Sequence, residues 1–291
     1  MADRTVRMNQ NVVARVGMCL IGAAAFTLPL TSSAGALPVV IRGIPSTAST
    51  SDELPLAYLA SFQNGSPKPA LDKLNAGPMF SSDPLIPGSN PTVSAAPGGI
   101  EVSVHRPLGL SPDDIPSESV FAPVDFGPGS VVRMRTTFIA PVGPYATTGG
   151  FAIGLGARTG GKDDLPSETR VFATVNVRPN QVVRFQVPFG SVEQRNVVLP
   201  QEVKDAIFST TDPQPFTIEM TIDRKLGKAT VTLMVIDQVF PLETFTLADF
   251  VADGGPRITA VGPGIAVNSN GPGQTASVKI REFRIYTNVG G

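Results

Sequence analysis

The sequence predicts an all-β fold, a two-layer antiparallel β-sandwich, from three observations. From Gly98 onward, apolar residues recur at every second position, as in a strand that buries one face. Turns rich in glycine and proline separate these segments, and the triplet Gly-Pro-Gly occurs at 127–129, 262–264 and 271–273. Helical periodicity is almost absent, so no layer of helices is expected to cover a sheet. Successive short strands without helices favour two sheets packed face to face.

The first residues have the pattern of an export signal. Arginines at positions 4, 7 and 15 precede fifteen uncharged residues, Val16 to Leu30, and the small residues at 34–36 provide a cleavage site. We expect residues 1–36 to be a signal peptide and the protein to be secreted, periplasmic or held at the cell surface. Because a spanning helix needs about 20 apolar residues, cleavage is favoured over the alternative, retention as an N-terminal anchor.

The composition of the remaining chain excludes several partners. Residues 1–36 hold three of the 23 basic and one of the 24 acidic side chains, so the rest has a net charge of −3. Nucleic acid requires a concentrated basic surface, and anionic lipid requires a polybasic segment; the sequence has neither. Its only cysteine, Cys19, lies within the predicted leader. Disulfides and thiol chemistry are therefore excluded from the mature chain, and a hydrophobic core must stabilise it.

The segment 37–97 is rich in proline, serine, threonine, glycine and alanine. Proline at this density interrupts both sheet ladders and helices, so we expect a linker or stalk. One apolar patch, Leu54 to Phe62, is expected to dock on the folded body or to form a helical turn. The folded domain is expected to comprise residues 98–291.

Within the folded domain, six segments alternate with period two. They begin at Ile100, Val132, Val171, Val183, Phe216 and Val231. The loop Asp223–Gly227 lies between the last two segments and predicts a hairpin. Helix is expected only in short pieces, at Pro200–Phe208 and Leu247–Val251.

The last predicted strand changes phase. Val278 and Ile280 would point to one face, whereas Phe283 and Ile285 have the opposite parity. One extra residue around Arg281–Glu282 would bring both pairs to the same face. The sequence therefore predicts a β-bulge at this position.

The C-terminal part of the chain contains five strand-like segments, the first two joined by a glycine-containing hairpin. They are Phe216–Asp223, Thr230–Asp237, Phe245–Phe250, Ile258–Ser269 and Val278–Tyr286. Their order resembles the C-terminal half of concanavalin A-like jelly rolls, the superfamily of legume lectins, laminin-G-like modules and bacterial β-glucanases. Gly98–Val104 and Gly129–Arg135 are similar to the early strands of that fold, so the resemblance covers about residues 98–288. It rests on strand order and spacing, and it implies a jelly-roll fold.

The resemblance also implies a glycan ligand and, as in many members, a structural calcium ion. Glycoside hydrolysis needs a pair of carboxylates, which the hydrolase branch carries as E-x-D-x-x-E or E-x-D-x-E, and this sequence has no such run. It also has no tryptophan and only three tyrosines for stacking on sugar rings. We expect a non-enzymatic module that binds carbohydrate or attaches to a surface. The alternatives are a glycoside hydrolase or lyase with an atypical site, and a structural or virion assembly protein.

Several charged residues project from predicted strands on faces away from the core. They are Arg133, Arg135, Arg184 and Glu219. If their strands share the concave sheet, they form a polar stripe that can bind the hydroxyls or acidic groups of a ligand. An ordinary solvated sheet face is the alternative. His105, the only histidine, falls on the polar face of its strand and is expected to be a solvated surface residue.

Two acidic loops, Asp113–Glu118 and Asp163–Glu168, are near-exact copies of each other. Clustered carboxylates offer the hard oxygen ligands that calcium prefers. The candidate ligands are Asp113, Asp114, Asp163, Asp164 and Glu168. Neither loop has the D-x-[DN]-x-[DN]-G order of a known calcium loop. Turn and cap formation by Asp and Ser before proline is the favoured alternative.

Overall fold

Strands dominate the structure, a computed structural model. It describes residues 54–81, 86–142, 150–159, 170–177, 183–189, 191–197, 199–246, 257–267 and 271–289. These residues belong to one compact unit, Thr47–Gly291. The predicted signal peptide at 1–36, the helix expected at 247–251 and the acidic residues Asp163, Asp164 and Glu168 lie outside the described residues.

The described residues form sixteen strands and little helix. They are β1 Leu56–Ser61, β2 Pro69–Asp72, β3 Phe80–Ser81, β4 Thr92–Ala96, β5 Gly99–His105, β6 Ser117–Phe126, β7 Val131–Ile139, β8 Phe151–Thr159, β9 Arg170–Val177, β10 Val183–Phe189, β11 Ser191–Val197, β12 Phe216–Asp223, β13 Lys228–Val235, β14 Gln238–Thr246, β15 Ile258–Val267 and β16 Thr275–Thr287. A 3₁₀ turn covers Phe62–Asn64, and one helix, α1, covers Gln201–Ile207.

The described strands form two large antiparallel sheets. One contains nine strands, in the order β14-β13-β12-β7-β16-β1-β2, with β5 paired to the first half of β16 and β4 outside β5. The other contains five strands in the order β3-β6-β15-β8-β9, and β10 and β11 form a separate hairpin. Side chains from both large sheets meet in one hydrophobic core. The predicted all-β, two-layer antiparallel sandwich is confirmed.

The alternation seen in the sequence decides which face each strand buries. On β12, Phe216, Ile218 and Met220 are almost completely buried, while the residues between them are partly exposed. Phe216 stacks on Phe138 of the neighbouring strand β7, with ring centroids 5.6 Å apart. Burial of a large apolar side chain contributes about 1.5–3 kcal/mol, so this inward row holds the sheets together.

The predicted hairpin, helix and bulge are all present. Asp223 Oδ1 accepts hydrogen bonds from the backbone N–H groups of Lys225 and Leu226, at 2.9 and 3.0 Å, and closes the β12–β13 loop. Helix α1 lies inside the predicted range 200–208. In the ladder between β16 and β7, the register shifts between Ile280 and Glu282, which confirms the bulge.

The segment expected to be a linker differs from that expectation in its described part. Strand β1 lies between β16 and β2, and Tyr58 and Phe62 are completely buried. The apolar patch at 54–62 therefore does dock on the folded body, as a strand followed by a 3₁₀ turn. Proline is tolerated at the first residue of a strand and in turns, and Pro69 and Pro97 occupy such positions. A high proline content therefore does not exclude strands, because the effect of each proline depends on its position in the strand.

Candidate binding face

One surface of the nine-stranded sheet faces away from the core and carries charged and hydroxyl side chains. Its centre is formed by three adjacent strands, β12, β7 and β16. Since every second residue of these strands is buried, the residues between them face outward. We call this surface the polar face. It comprises Arg133, Arg135, Thr137, Thr217, Glu219, Glu282, Arg284 and Tyr286.

Three of the four residues predicted for binding lie together on the polar face. Arg135 and Glu219 are directly opposite each other in the β7–β12 ladder. Arg135 Nε lies 3.5 Å from Glu219 Oε2. Arg133 lies two residues before Arg135 on the same strand and the same face. Arg184 is on β10, whose ladder partner is β11, so the ladder does not place it beside the other three.

The sequence reasoning missed the contribution of β16. Arg284 is opposite Arg135, and Tyr286 is opposite Arg133. Arg284 Nη2 donates to Glu282 Oε2 at 2.9 Å. Hydrogen bonding to Tyr286 and then to Glu282 raises the pKa of the Arg284 guanidinium above its usual value. The guanidinium carbon of Arg133 lies 4.6 Å from the Tyr286 ring centroid, a cation–π contact.

These ion pairs orient side chains more than they stabilise the fold. The side chains of Arg135 and Glu219 are 35 % and 20 % exposed, and those of Arg284 and Glu282 are 34 % and 29 % exposed. Pairs with such access to water contribute about 0–1 kcal/mol. Held in place by one another, the side chains have less conformational freedom to lose when a ligand binds.

Two depressions lie beside this cluster and meet at Arg281. The larger has a volume of about 810 Å³. It is lined by Glu101, Ser277, Lys279, Arg281 and the segments 139–142 and 211–215. The smaller has a volume of about 500 Å³ and is lined by Ser61, Gln63, Gly98, Thr137, Arg281 and Glu282. We call the two depressions together the Arg281 groove.

The β-bulge of β16 creates the meeting point of the two depressions. Arg281 and Glu282 both face outward, because Ile280 before them and Phe283 after them are completely buried. A bulge turns a side chain out of the regular alternation in this way. Strand β5 approaches the bulge closely at Gly99, where a Cβ atom would lie 2.4 Å from the Ile280 carbonyl oxygen.

The Arg281 groove offers hydrogen-bond donors and acceptors side by side. Glu101 stands opposite Lys279 in the β5–β16 ladder, so an acceptor and a donor are neighbours in the larger depression. In the smaller depression, Glu282 and Thr137 lie close to the guanidinium-bearing residue Arg281. Hydroxyl groups both donate and accept hydrogen bonds. The groove can therefore bind a ligand that presents several hydroxyls.

The first predicted calcium loop is organised by an arginine. Asp113 and Asp114 are exposed. Arg106 is 2 % exposed, and it donates from Nη2 to the Ser111 carbonyl at 2.7 Å and from Nη1 to the Asp114 carbonyl. A guanidinium thus binds loop carbonyls of the kind that a calcium ion would use. Among the residues that the structure describes, no group of three or more His, Cys, Asp and Glu side chains could hold a metal. Calcium at the two acidic loops stays a prediction.

His105 lies at the end of β5, on its outward face. Its Nδ1 atom is 3.0 Å from the hydroxyl of Thr275, which stands opposite it in the ladder. The side chain is partly exposed, as expected of a surface residue. The two side chains thus form a hydrogen bond between neighbouring strands.

No family model matches the chain, and no curated protein matches it. Several solved structures do. The chain is 11 % identical to an endo-1,3-β-glucanase from Streptomyces sioyaensis, with a TM-score of 0.49 over 88 % of this chain and 99 % of that one. It is 11 % identical to a Lotus tetragonolobus seed lectin, with a TM-score of 0.46 over 73 % and 99 %. It is 15 % identical to a Bauhinia forficata lectin in complex with GalNAc, with a TM-score of 0.42 over 65 % and 98 %.

These structures share the concanavalin A-like jelly roll that the strand order resembles. At such low identity they say nothing about the ligand of this chain. In the part of the chain that the structure describes, no helix is long and apolar enough to span a membrane. The chain is an antiparallel β-sandwich that is similar in fold to legume lectins and to an endo-1,3-β-glucanase.

Proposed function

We propose that the chain is a non-enzymatic carbohydrate-binding module and that its ligand lies in the Arg281 groove. One observation carries the proposal: a groove of several hundred cubic ångströms on an open sheet face, lined by polar groups of both kinds. Its larger depression lies within the range of about 300–1,000 Å³ that small-ligand sites occupy.

The charges of the groove favour a hydroxylated ligand. The donors Lys279 and Gln63 and the acceptors Glu101 and Ser277 all line it. Each hydroxyl of a saccharide can both donate and accept a hydrogen bond, so a saccharide can pair with both kinds of group. An apolar ligand would leave these groups without partners, which costs about 1–3 kcal/mol for each group that loses water.

Binding without catalysis is supported by the carboxylates of the polar face. Glycoside hydrolysis uses two carboxyl groups that reach the same glycosidic bond. Glu282 accepts a hydrogen bond from Arg284, and Glu219 is paired with Arg135. Both carboxylates thus pair with arginines of the sheet and orient their guanidinium groups.

The test is an array of immobilised saccharides incubated with the protein. Ser277→Trp would fill the larger depression, and we expect it to abolish the binding seen with the unchanged protein. Thr230→Trp is the matched control, because Thr230 is exposed on β13 outside the groove. No binding to any saccharide would contradict the proposal, and equal binding by Ser277→Trp would place the ligand elsewhere.

We also propose that the protein is exported, on the basis of the N-terminal pattern described above. Expression in a bacterial host followed by N-terminal sequencing of the exported protein tests this directly. Cleavage after Ala36 would make Leu37 the first residue. A chain that keeps residues 1–36 and stays in the membrane fraction would support the anchor instead.

A further inference from the structure

Arg281 differs from the arginines of the polar face in its partners. Arg135 and Arg284 are each paired with a glutamate, and Arg133 lies over the Tyr286 ring. Arg281 is exposed, and no residue that the structure describes gives it a hydrogen bond or an ion pair. Its guanidinium therefore keeps all its donors for a ligand or for water.

Each carboxylate of the groove has a neighbour that donates a hydrogen bond to it or stands opposite it in a ladder. Asp212 Oδ2 accepts a hydrogen bond from the Gln214 side chain at 3.2 Å. Glu101 stands opposite Lys279 in the ladder. Glu282, the third carboxylate, accepts a hydrogen bond from the guanidinium of Arg284. The uncommitted charge at the meeting point of the two depressions is therefore positive.

The bulge gives this charge its position. Counted back from Phe283 and Ile285, which are buried, position 281 would face the core in a regular strand; the extra residue lets Arg281 and Glu282 both face outward. An arginine fork binds a planar carboxylate with two parallel hydrogen bonds, which a lysine cannot do. The placement and the residue type thus select for an anionic group at the centre of the groove.

We infer that Arg281 binds the carboxylate of an acidic saccharide that lies across both depressions, with sugar units on either side of the guanidinium. The inference deepens the proposed function and rests on it. It names the ligand class, a chain of sugars that carries carboxylates. An acidic peptide would offer carboxylates without the hydroxyls that the walls of the groove can bind.

Calorimetric titration with four compounds tests the inference. They are trigalacturonate, neutral galactotriose, monomeric galacturonate and a poly-glutamate peptide. We expect trigalacturonate to bind more tightly than the other three. Its affinity should fall as sodium chloride rises from about 0.05 to about 0.5 M, because an exposed charge pair is screened by salt.

The variant Arg281→Gln removes the charge and keeps a side chain of similar length. We expect it to weaken trigalacturonate binding roughly 10- to 100-fold, the range for a lost charge-assisted hydrogen bond, and to leave galactotriose binding unchanged. Lys225→Gln removes one positive charge from the exposed β12–β13 loop and is the matched control. Arg281→Lys should give an intermediate affinity, and thermal unfolding should show that all variants are folded.

Two results would overturn the inference while leaving the proposed function intact: equal binding of trigalacturonate and galactotriose, or an unchanged affinity for trigalacturonate in Arg281→Gln. Tighter binding of the peptide would overturn the choice of a saccharide. No binding of any saccharide on the array or in the calorimeter would contradict the proposed function itself.

Discussion

Deletion of a single residue from β16 tests whether the bulge is built in by one extra amino acid. Without Arg281, the strand would read as a regular alternation, with Ile280 and Phe283 inward and Glu282 between them outward. Every side chain that is now buried would stay buried. We therefore expect the free energy of unfolding to change by no more than about 1 kcal/mol, as for surface changes that leave the core intact.

Deletion of Lys279, two positions earlier, should behave in the opposite way. It shifts the first half of the strand by one residue, so that the completely buried Val278 faces water and Ser277 faces the core. Exposure of a valine costs about 1.5–3 kcal/mol, and burial of an unpaired hydroxyl costs about 1–3 kcal/mol. If the first half instead kept its register after the deletion, Ile280 would face water and Arg281 would face the core, which would lower the free energy of unfolding still more.

We therefore expect deletion of Lys279 to lower the free energy of unfolding by about 3–6 kcal/mol, a large part of the 5–15 kcal/mol that a domain has. Urea unfolding followed by circular dichroism measures both deletions. The slope of the transition shows whether each variant exposes the same surface on unfolding. Equal losses for the two deletions, or a larger loss for the Arg281 deletion, would refute the assignment of the extra residue.

Three further predictions concern the chain outside the bulge. Arg106→Met should lower stability by about 3 kcal/mol, since two carbonyls of the acidic loop lose a charged donor, and limited proteolysis should then cut first in that loop. Burial, and then the nearby charge of Asp72, raise the pKa of Tyr58 well above its usual value of 10. Above pH 10 the unfolded state loses this proton while the folded state keeps it, so the free energy of unfolding should fall as the pH rises. Tyr58→Phe should remove that fall when the melting temperature is measured over a series of pH values. The fragment 98–291 lacks β1 and should show no cooperative melting transition, in contrast to 54–291.

Local patterns in the sequence were enough to predict most of the strands from Gly98 onward, although β6, β8 and β11 were not among them. The alternation of apolar and polar residues is a property of neighbouring positions, so the hairpin at Asp223–Gly227 and the bulge at Arg281–Glu282 could be read from it. The order in which strands pair is not local. For that reason the sequence did not show that Arg284 and Tyr286 lie beside the predicted arginines of β7.

Two other features could have been found with a stricter use of the same rules. Arg106 continues the inward parity of Val102 and Val104 on β5, and this is the signal that its side chain is buried. Tyr58 and Ala60 also alternate with residues that are less buried, within a segment that was judged by its proline content. In both cases the alternation predicted burial correctly, but the charge of Arg106 or the proline content of the 37–97 segment was given more weight.

Strand β16 has neighbours along both of its edges. β16 pairs with β7 on one side and with β5 and β1 on the other. Until residues 275–287 have been synthesised, these three strands have a vacant edge in the middle of their sheet, and the sandwich cannot close. A nascent chain would thus be unable to complete this sheet before residues 275–287 have been made.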